Sequence, residues 1–178
     1  MSRAEKSIRV LRVGQRYVRD DRTLTHLCLV SRALGAEAIY LEEVEKELEE
    51  TVAEVNRTWG GDFAVVEQKW KRVFQEAKAE GRTIVHLTMY GTPLQGEIGE
   101  LRKRDSFLIA VGGPKVPGEV YKLSDYNIAV TSQPHSEIAA LAITVHDLQK
   151  GEELKKVFGD YKLRIIPSAK GKQVEQKS

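Results

Sequence analysis

"SFLIAVGGPKVPGEVYKLSDYNIAVTSQ", Ser106–Gln133, is the stretch whose reading decides the fold. An unbroken apolar run reaches Val111 and stops at Gly112 and Gly113. Pro114 and Pro117 follow, with Lys115 between them. A second run, Asn127 to Val130, stops at Thr131, Ser132 and Gln133. Short apolar runs bounded by turn residues read as buried strands, and strands buried on both faces belong to parallel sheets. Directly after comes "PHSEIAALAITVHDL", residues 134–148, which reads as a nearly all-apolar helix.

The same alternation extends upstream. "SIRVLRVG", "AEAIYL", "FAVVE" and "TIVHLTMYG" read as strands. Between them lie stripes at helical spacing: Leu24, Leu27, Cys28 and Leu34; then Val44, Leu48, Val52 and Val55; then Trp70, Val73, Phe74 and Ala77. Gly60, Gly61 and Gly81 close two of these helices. A short helix is expected around Glu97–Arg104. Strand and helix in series imply an α/β fold, with a mostly parallel sheet and helices on both faces. Residues 1–150 form this domain. Residues 151–178 form an extension, in which "EELKKVFG" reads as a helical turn and residues 161–176 as a β-hairpin around "AKGK".

Composition narrows the function classes. Of 178 residues, 41% are hydrophobic and 30% charged, and the net charge is +2. No apolar run approaches the roughly 18 residues of a membrane span. "MSRAEKSIRV" lacks a signal-peptide apolar region, so a cytoplasmic location is expected. One cysteine, Cys28, forms no internal disulfide. Four histidines without CxxC or HExxH spacing predict no metal site. Any nucleic-acid contact must use local basic clusters: Arg12, Arg16, Arg19 and Arg22; Arg102, Lys103 and Arg104; or Lys170, Lys172 and Lys177. Each cluster reads equally as solvated surface.

Ligands of open α/β sheets bind beyond the carboxyl ends of the strands. Three successive strand ends here share one character. "HLTMYGTP" carries Gly91 and Pro93, "AVGGPKVPG" carries Gly112 and Gly113, and "AVTSQPHSE" carries Ser132, Gln133 and Pro134. Glycine admits a ligand close to the main chain, and proline stiffens the loop. A P-loop, a GxGxxG after the first strand and a GxSxG elbow are all absent.

"FLIAVGGPKVPGEVYKLSDYNIAVTSQPHSEIAALAITVHDL" resembles the C-terminal motifs of the SPOUT methyltransferases. "RVGQRYVRDDRTLTHLCLVSRALGAEAIYL", with its RDxRxxTH, resembles more narrowly the archaeal tRNA 2′-O-methyltransferases acting on cytidine 56 of the T-loop. Together the resemblance covers about residues 8–150. It implies a deep trefoil knot, S-adenosylmethionine held in a bent form by the knot loops, tRNA as substrate and an obligate homodimer. The family's C-terminal hairpin corresponds to residues 161–176. Carried over by position, the cofactor contacts are Leu87 and Thr88; Gly112, Gly113, Pro114, Lys115 and Val116; and Val130, Thr131, Ser132, Gln133, Pro134, His135, Ser136 and Glu137.

One departure bears on catalysis. Many ribose-methylating relatives carry an Asn…Arg…Gly pattern in the first helix. Counted back from Gly35, its Arg falls on Leu29 and its Asn on Thr23. Arg16, Arg19, Arg22 and Arg32 are the available substitutes. The catalytic expectation is Arg22 first, then Arg19 and Arg16, with Asp20 orienting one of them and His26 sharing the face of Arg22. His86 is expected in the core, as is Cys28, and His146 at an interface. Ile138, Leu141, Ala142, Val145 and Leu148 stripe one side of the last helix, and Ala139, Ala140 and Ile143 the other, so a partner subunit is expected to cover it. Two rivals stay open: a base methyltransferase with the same knot, and a non-catalytic RNA-binding module.

Overall fold

The computed structural model describes residues 5–14, 21–113 and 115–177. Arg16, Arg19, Asp20 and Pro114 lie outside the described residues. The elements are β1 (Ser7–Val13), α1 (Asp21–Ala33), β2 (Ala38–Leu41), α2 (Lys46–Trp59), β3 (Ala64–Glu67), α3 (Trp70–Ala79) and β4 (Thr83–Pro93). Next come α4 (Leu94–Leu101), β5 (Ser106–Gly112), α5 (Gly118–Leu123), β6 (Tyr126–Ala129) and α6 (Glu137–Gln149). A 3₁₀ turn at Glu152–Lys155 leads to β7 (Leu163–Ile166) and β8 (Gln173–Gln176).

Six strands form one sheet in the order β3-β2-β1-β5-β4-β6. Every pairing in it is parallel. Strand parity sorts the core into two layers. Ile8, Val10, Ile39, Val85, Phe107 and Ile109 pack under α1, α2, α4 and α6. Leu11, Val13, Ile84, Leu108 and Ala110 pack under α3 and α5. The chain places β5 between β1 and β4, then crosses β4 to lay β6 at the edge.

Three expectations change. The short helix starts immediately after Pro93 and spans Leu94–Leu101, earlier than the sequence pattern placed it. The helix α5 was not anticipated, because six residues are too few for a helical period to show. On α6, Ala140 is 3% exposed within the single chain, whereas Ile143 is 47% exposed. Ala140 therefore belongs to the chain's own interior, and only part of the expected outer stripe of α6 needs another cover.

β7 and β8 pair antiparallel, with Ile165 opposite Val174. Phe158, ahead of this hairpin, packs against the end of α2 and against Arg32 of α1. A Cβ on Gly61 would sit 2.8 Å from its ring, and the Arg32 guanidinium lies 4.6 Å above the ring centroid. Arg32 Nε also donates to Asn56 Oδ1 at 2.8 Å. Arg32 is thus a buried brace between α1, α2 and Phe158 rather than a free cation for a reaction.

Candidate active site

The site forms where β1, β4, β5 and β6 end and α6 begins. β4 departs from regular pairing there. Leu87 pairs with Ile128, and so does Thr92, so residues 88–91 loop out between them. Gly91 makes this possible: a Cβ there would lie 2.4 Å from the Asn127 carbonyl oxygen and 2.6 Å from the Ile128 nitrogen. At the end of β5, a Cβ on Gly112 would lie 2.2 Å from Val116 Cγ2. The Ser136 hydroxyl caps α6 by accepting from the Ala139 N–H at 3.1 Å.

These features enclose a cavity of about 440 Å³, within the range of small-molecule sites. Of the expected contacts, Leu87, Thr88, Gly112, Gly113, Val116, Pro134, His135, Ser136 and Glu137 line it. Lys115, Val130, Thr131, Ser132 and Gln133 do not line it. Val130 packs partly buried against the core, and the Gln133 N–H donates to Thr131 Oγ1 in an exposed bend. Thr131, Ser132 and Gln133 are exposed after β6, and the lining resumes at Pro134. Lys115 presents its carbonyl, not its side chain: a Cβ on Gly14 would lie 3.1 Å from that oxygen.

Thr23, His86, Met89, Tyr90, Val111, Tyr121 and Ala140 complete the lining and were not assigned from sequence. His86 is 1% exposed, as a core residue should be, yet it also faces the cavity. Its Nδ1 is 2.9 Å from Asn127 Oδ1, while Asn127 Nδ2 donates to the Tyr121 carbonyl at 2.9 Å. That carboxamide oxygen can only accept, so Nδ1 carries the proton and Nε2 is an acceptor. Tyr121 meets the imidazole edge to face at 4.6 Å. Desolvation holds the His86 pKa below its ordinary value, with the Asn127 hydrogen bond opposing in part. Burial thus favours the neutral ring.

Arg12 is the largest departure from the sequence reading, which placed it in a basic surface cluster. It is 3% exposed. Its Nε and Nη2 donate to the two Glu137 carboxylate oxygens at 3.2 and 3.3 Å, and its Nη1 donates to the Gly14 carbonyl at 3.0 Å. This forked pair ties the end of β1 to the first turn of α6 directly behind Gly113. The available signal was strand parity: Arg12 alternates in step with Ile8 and Val10, which face α6.

Arg22 and His26 share a helical face, as their spacing implies. They line a second cleft of about 300 Å³ with Glu45, Glu47, Leu48 and Thr51, between α1 and the start of α2. Thr23, one residue on, is the α1 residue that reaches the glycine-lined cavity. Cys28 is buried, and burial pushes its thiol up to about 12. The His146 Nδ1–H donates to the buried Glu153 carboxylate at 2.6 Å, and neither residue lines the cavity. Among the described residues, no three His, Cys, Asp or Glu side chains cluster as a metal site requires. No helix among them is long and apolar enough to cross a membrane.

Kinship matches this architecture. The chain is 48% identical to the tRNA (cytidine(56)-2′-O)-methyltransferase of Nitrosopumilus maritimus, over 96% of this chain and 97% of that one. It is equally 48% identical to the protein of that name from Cenarchaeum symbiosum, over 94% and 95%. Among solved structures, it is similar to the SpoU methyltransferase AviRb from Streptomyces viridochromogenes in complex with the cofactor AdoMet. There the TM-score is 0.55 at 10% identity, covering 84% of this chain and 59% of that one. A family model described as tRNA ribose 2′-O-methyltransferase, aTrm56, matches residues 59–175. With two thirds of its length under that model and near-full-length relatives at almost half identity, the chain belongs to the aTrm56 family of tRNA ribose 2′-O-methyltransferases.

Proposed function

We propose that this protein transfers a methyl group from S-adenosylmethionine to the ribose 2′-oxygen of cytidine 56 in tRNA. The observation that carries the reading is near-full-length kinship to enzymes named for that reaction, together with a glycine-edged cavity at the ends of β4 and β5.

The residues suit the cofactor. Leu87, Val111, Val116 and Ala140 offer an apolar wall for a planar base. Backbone at Gly112 and Gly113, with Thr88, Tyr121 and Ser136, offers polar partners for the ribose and amino-acid portions. When bound, S-adenosylmethionine supplies a methyl group already activated by the sulfonium. The chain must then hold the ribose oxygen in line with that methyl and lower its proton affinity. Positioning supplies several kcal/mol of such a barrier. A cation beside the attacking oxygen stabilises the developing alkoxide, and arginine does so by charge and hydrogen bonding because it stays protonated.

We assign that role to the arginines between residues 16 and 22, with Arg22 first and Asp20 as an orienting carboxylate. The support is position in the chain: Arg22 and Thr23 lie in the first turn of α1, Thr23 lining the cavity and Arg22 the second cleft beside α2, while Arg32, the other substitute, is committed to Asn56 and Phe158. His26 lies on the Arg22 face and would act with it. Arg22→Ala is expected to lower turnover about a hundredfold with cofactor affinity nearly unchanged. Single-turnover kinetics at saturating tRNA check this, and normal turnover removes Arg22 from catalysis.

The path from β4 through β5 to β6 is, in this reading, a trefoil knot, supported by the insertion of β5 between β1 and β4 before the chain crosses to β6. The protein acts as a homodimer in the cytoplasm, where its substrate resides, without a metal ion. Exposed Ile143 on α6 supports the dimer. Light scattering should give twice the chain mass, and a monomer refutes it. With a net charge of only +2, tRNA affinity must come from local basic patches and should fall steeply with salt. Lys170 and Lys172 near the exposed hairpin are contributors to such a patch.

A further inference from the structure

The loop-out in β4 carries the most exposed large apolar side chain among the described residues, Tyr90, at 77%. Its backbone is held in place. Gly91 presses against Asn127 and Ile128 where no Cβ fits. The Tyr90 N–H donates to Thr88 Oγ1 at 3.3 Å, and that hydroxyl is 3.1 Å from the Tyr121 hydroxyl. Thr92 Oγ1 donates to the Asn127 carbonyl at 3.2 Å. Four residues thus leave the sheet on a fixed path and set an aromatic ring in water at the rim of the cavity.

We propose that Tyr90 is a stacking platform for a nucleobase of the RNA substrate, the base of the nucleotide whose ribose enters the cavity. This rests on the ribose-methylation reading. The reacting 2′-oxygen must come to the cavity mouth, and its base is joined to the same sugar, so a rim residue is what that base meets. The apolar wall for the cofactor's own base lies deeper, at Leu87, Val111, Val116 and Ala140, all of them buried or half-buried. Proteins recognise unpaired RNA nucleotides largely by stacking bases on aromatic rings. A tyrosine has few torsions to freeze, so ordering its ring costs little.

The test uses the full chain with Tyr90→Ala, Tyr90→Leu and Tyr90→Phe. Binding of fluorescently labelled unmodified tRNA is followed by anisotropy, S-adenosylmethionine affinity by calorimetry, and turnover by steady-state methylation. Loss of one base stack weakens RNA binding roughly tenfold. Alanine and leucine should therefore raise the tRNA Kd and KM by about that factor, with turnover at saturation and cofactor affinity held within about twofold. Phenylalanine should restore wild-type binding. Wild-type tRNA affinity in Tyr90→Ala overturns the proposal. So does leucine performing as well as phenylalanine, which would mean bulk rather than stacking, and so does a parallel loss of cofactor affinity. A wild-type protein that fails to methylate tRNA overturns the enzymatic reading instead, whereas an active wild type beside an unaffected alanine variant overturns only the stacking role.

Discussion

A valine at position 113 is expected to cut S-adenosylmethionine affinity by up to roughly a hundredfold while leaving the protein folded. Gly113 borders the cavity. A first methyl group fits: an ideal Cβ lies 3.4 Å from Arg12 Nη2 and 3.9 Å from Glu137 Oε1, ordinary contacts. The two γ-carbons of valine then have to enter either the forked Arg12–Glu137 pair or the cavity itself. Overpacking of this kind costs about 1–3 kcal/mol, and each tenfold in affinity is about 1.4 kcal/mol. Alanine, which stops at the Cβ, should bind far better than valine. Calorimetry in the presence of a chelator measures both variants. Unchanged affinity in Gly113→Val would remove this loop from the cofactor site.

The second large effect is on stability. Arg12→Met keeps most of the apolar stem and deletes the charge, leaving the Glu137 carboxylate without its forked partner and the Gly14 carbonyl without its donor. Stranding one partner of a fully buried pair costs about 3–5 kcal/mol. The Glu137 side chain retains 19% exposure, so about 2–3 kcal/mol is the appropriate figure. Because the pair also fixes the first turn of α6, cofactor binding should weaken with it. Urea denaturation measures the loss, and Arg12→Met combined with Glu137→Gln should recover at least half of it, since the double variant buries no unpaired charge. Simple additivity of the two single variants would show that the pair does not act as a unit.

How much of this was legible in the chain depends on the type of signal. The strands were plain because Phe107–Val111 is apolar on both faces, and Ile8, Val10, Leu11 and Val13 put buried apolar side chains on both faces of β1, which only a covered sheet permits. Trp70, Val73, Phe74 and Ala77 were plain because all four turn to one side of α3 and are buried there. Sheet order was not legible, because no local pattern states which strands are neighbours. The loop-out at residues 88–91 was hidden because Thr88, Met89 and Tyr90 continue the composition of a strand, and the constraint on Gly91 comes from backbone across the ladder. Tyr121 was missed with its short helix. Arg12 was misread because Arg16, Arg19 and Arg22 follow it along the chain and suggest one basic cluster, whereas its partner in space is Glu137. Arg22 and His26 were correctly placed on one face. What that face opens onto, a cleft beside α2, depended on tertiary packing.

The central claim is the atom that receives the methyl group, and one measurement addresses it directly. The full-length protein is incubated with methyl-labelled S-adenosylmethionine and unmodified tRNA, and the product is digested and mapped by mass spectrometry. The account predicts a single labelled nucleoside, 2′-O-methylcytidine, arising from position 56. Label on a base, or no transfer to tRNA by a protein that binds the cofactor, would contradict it.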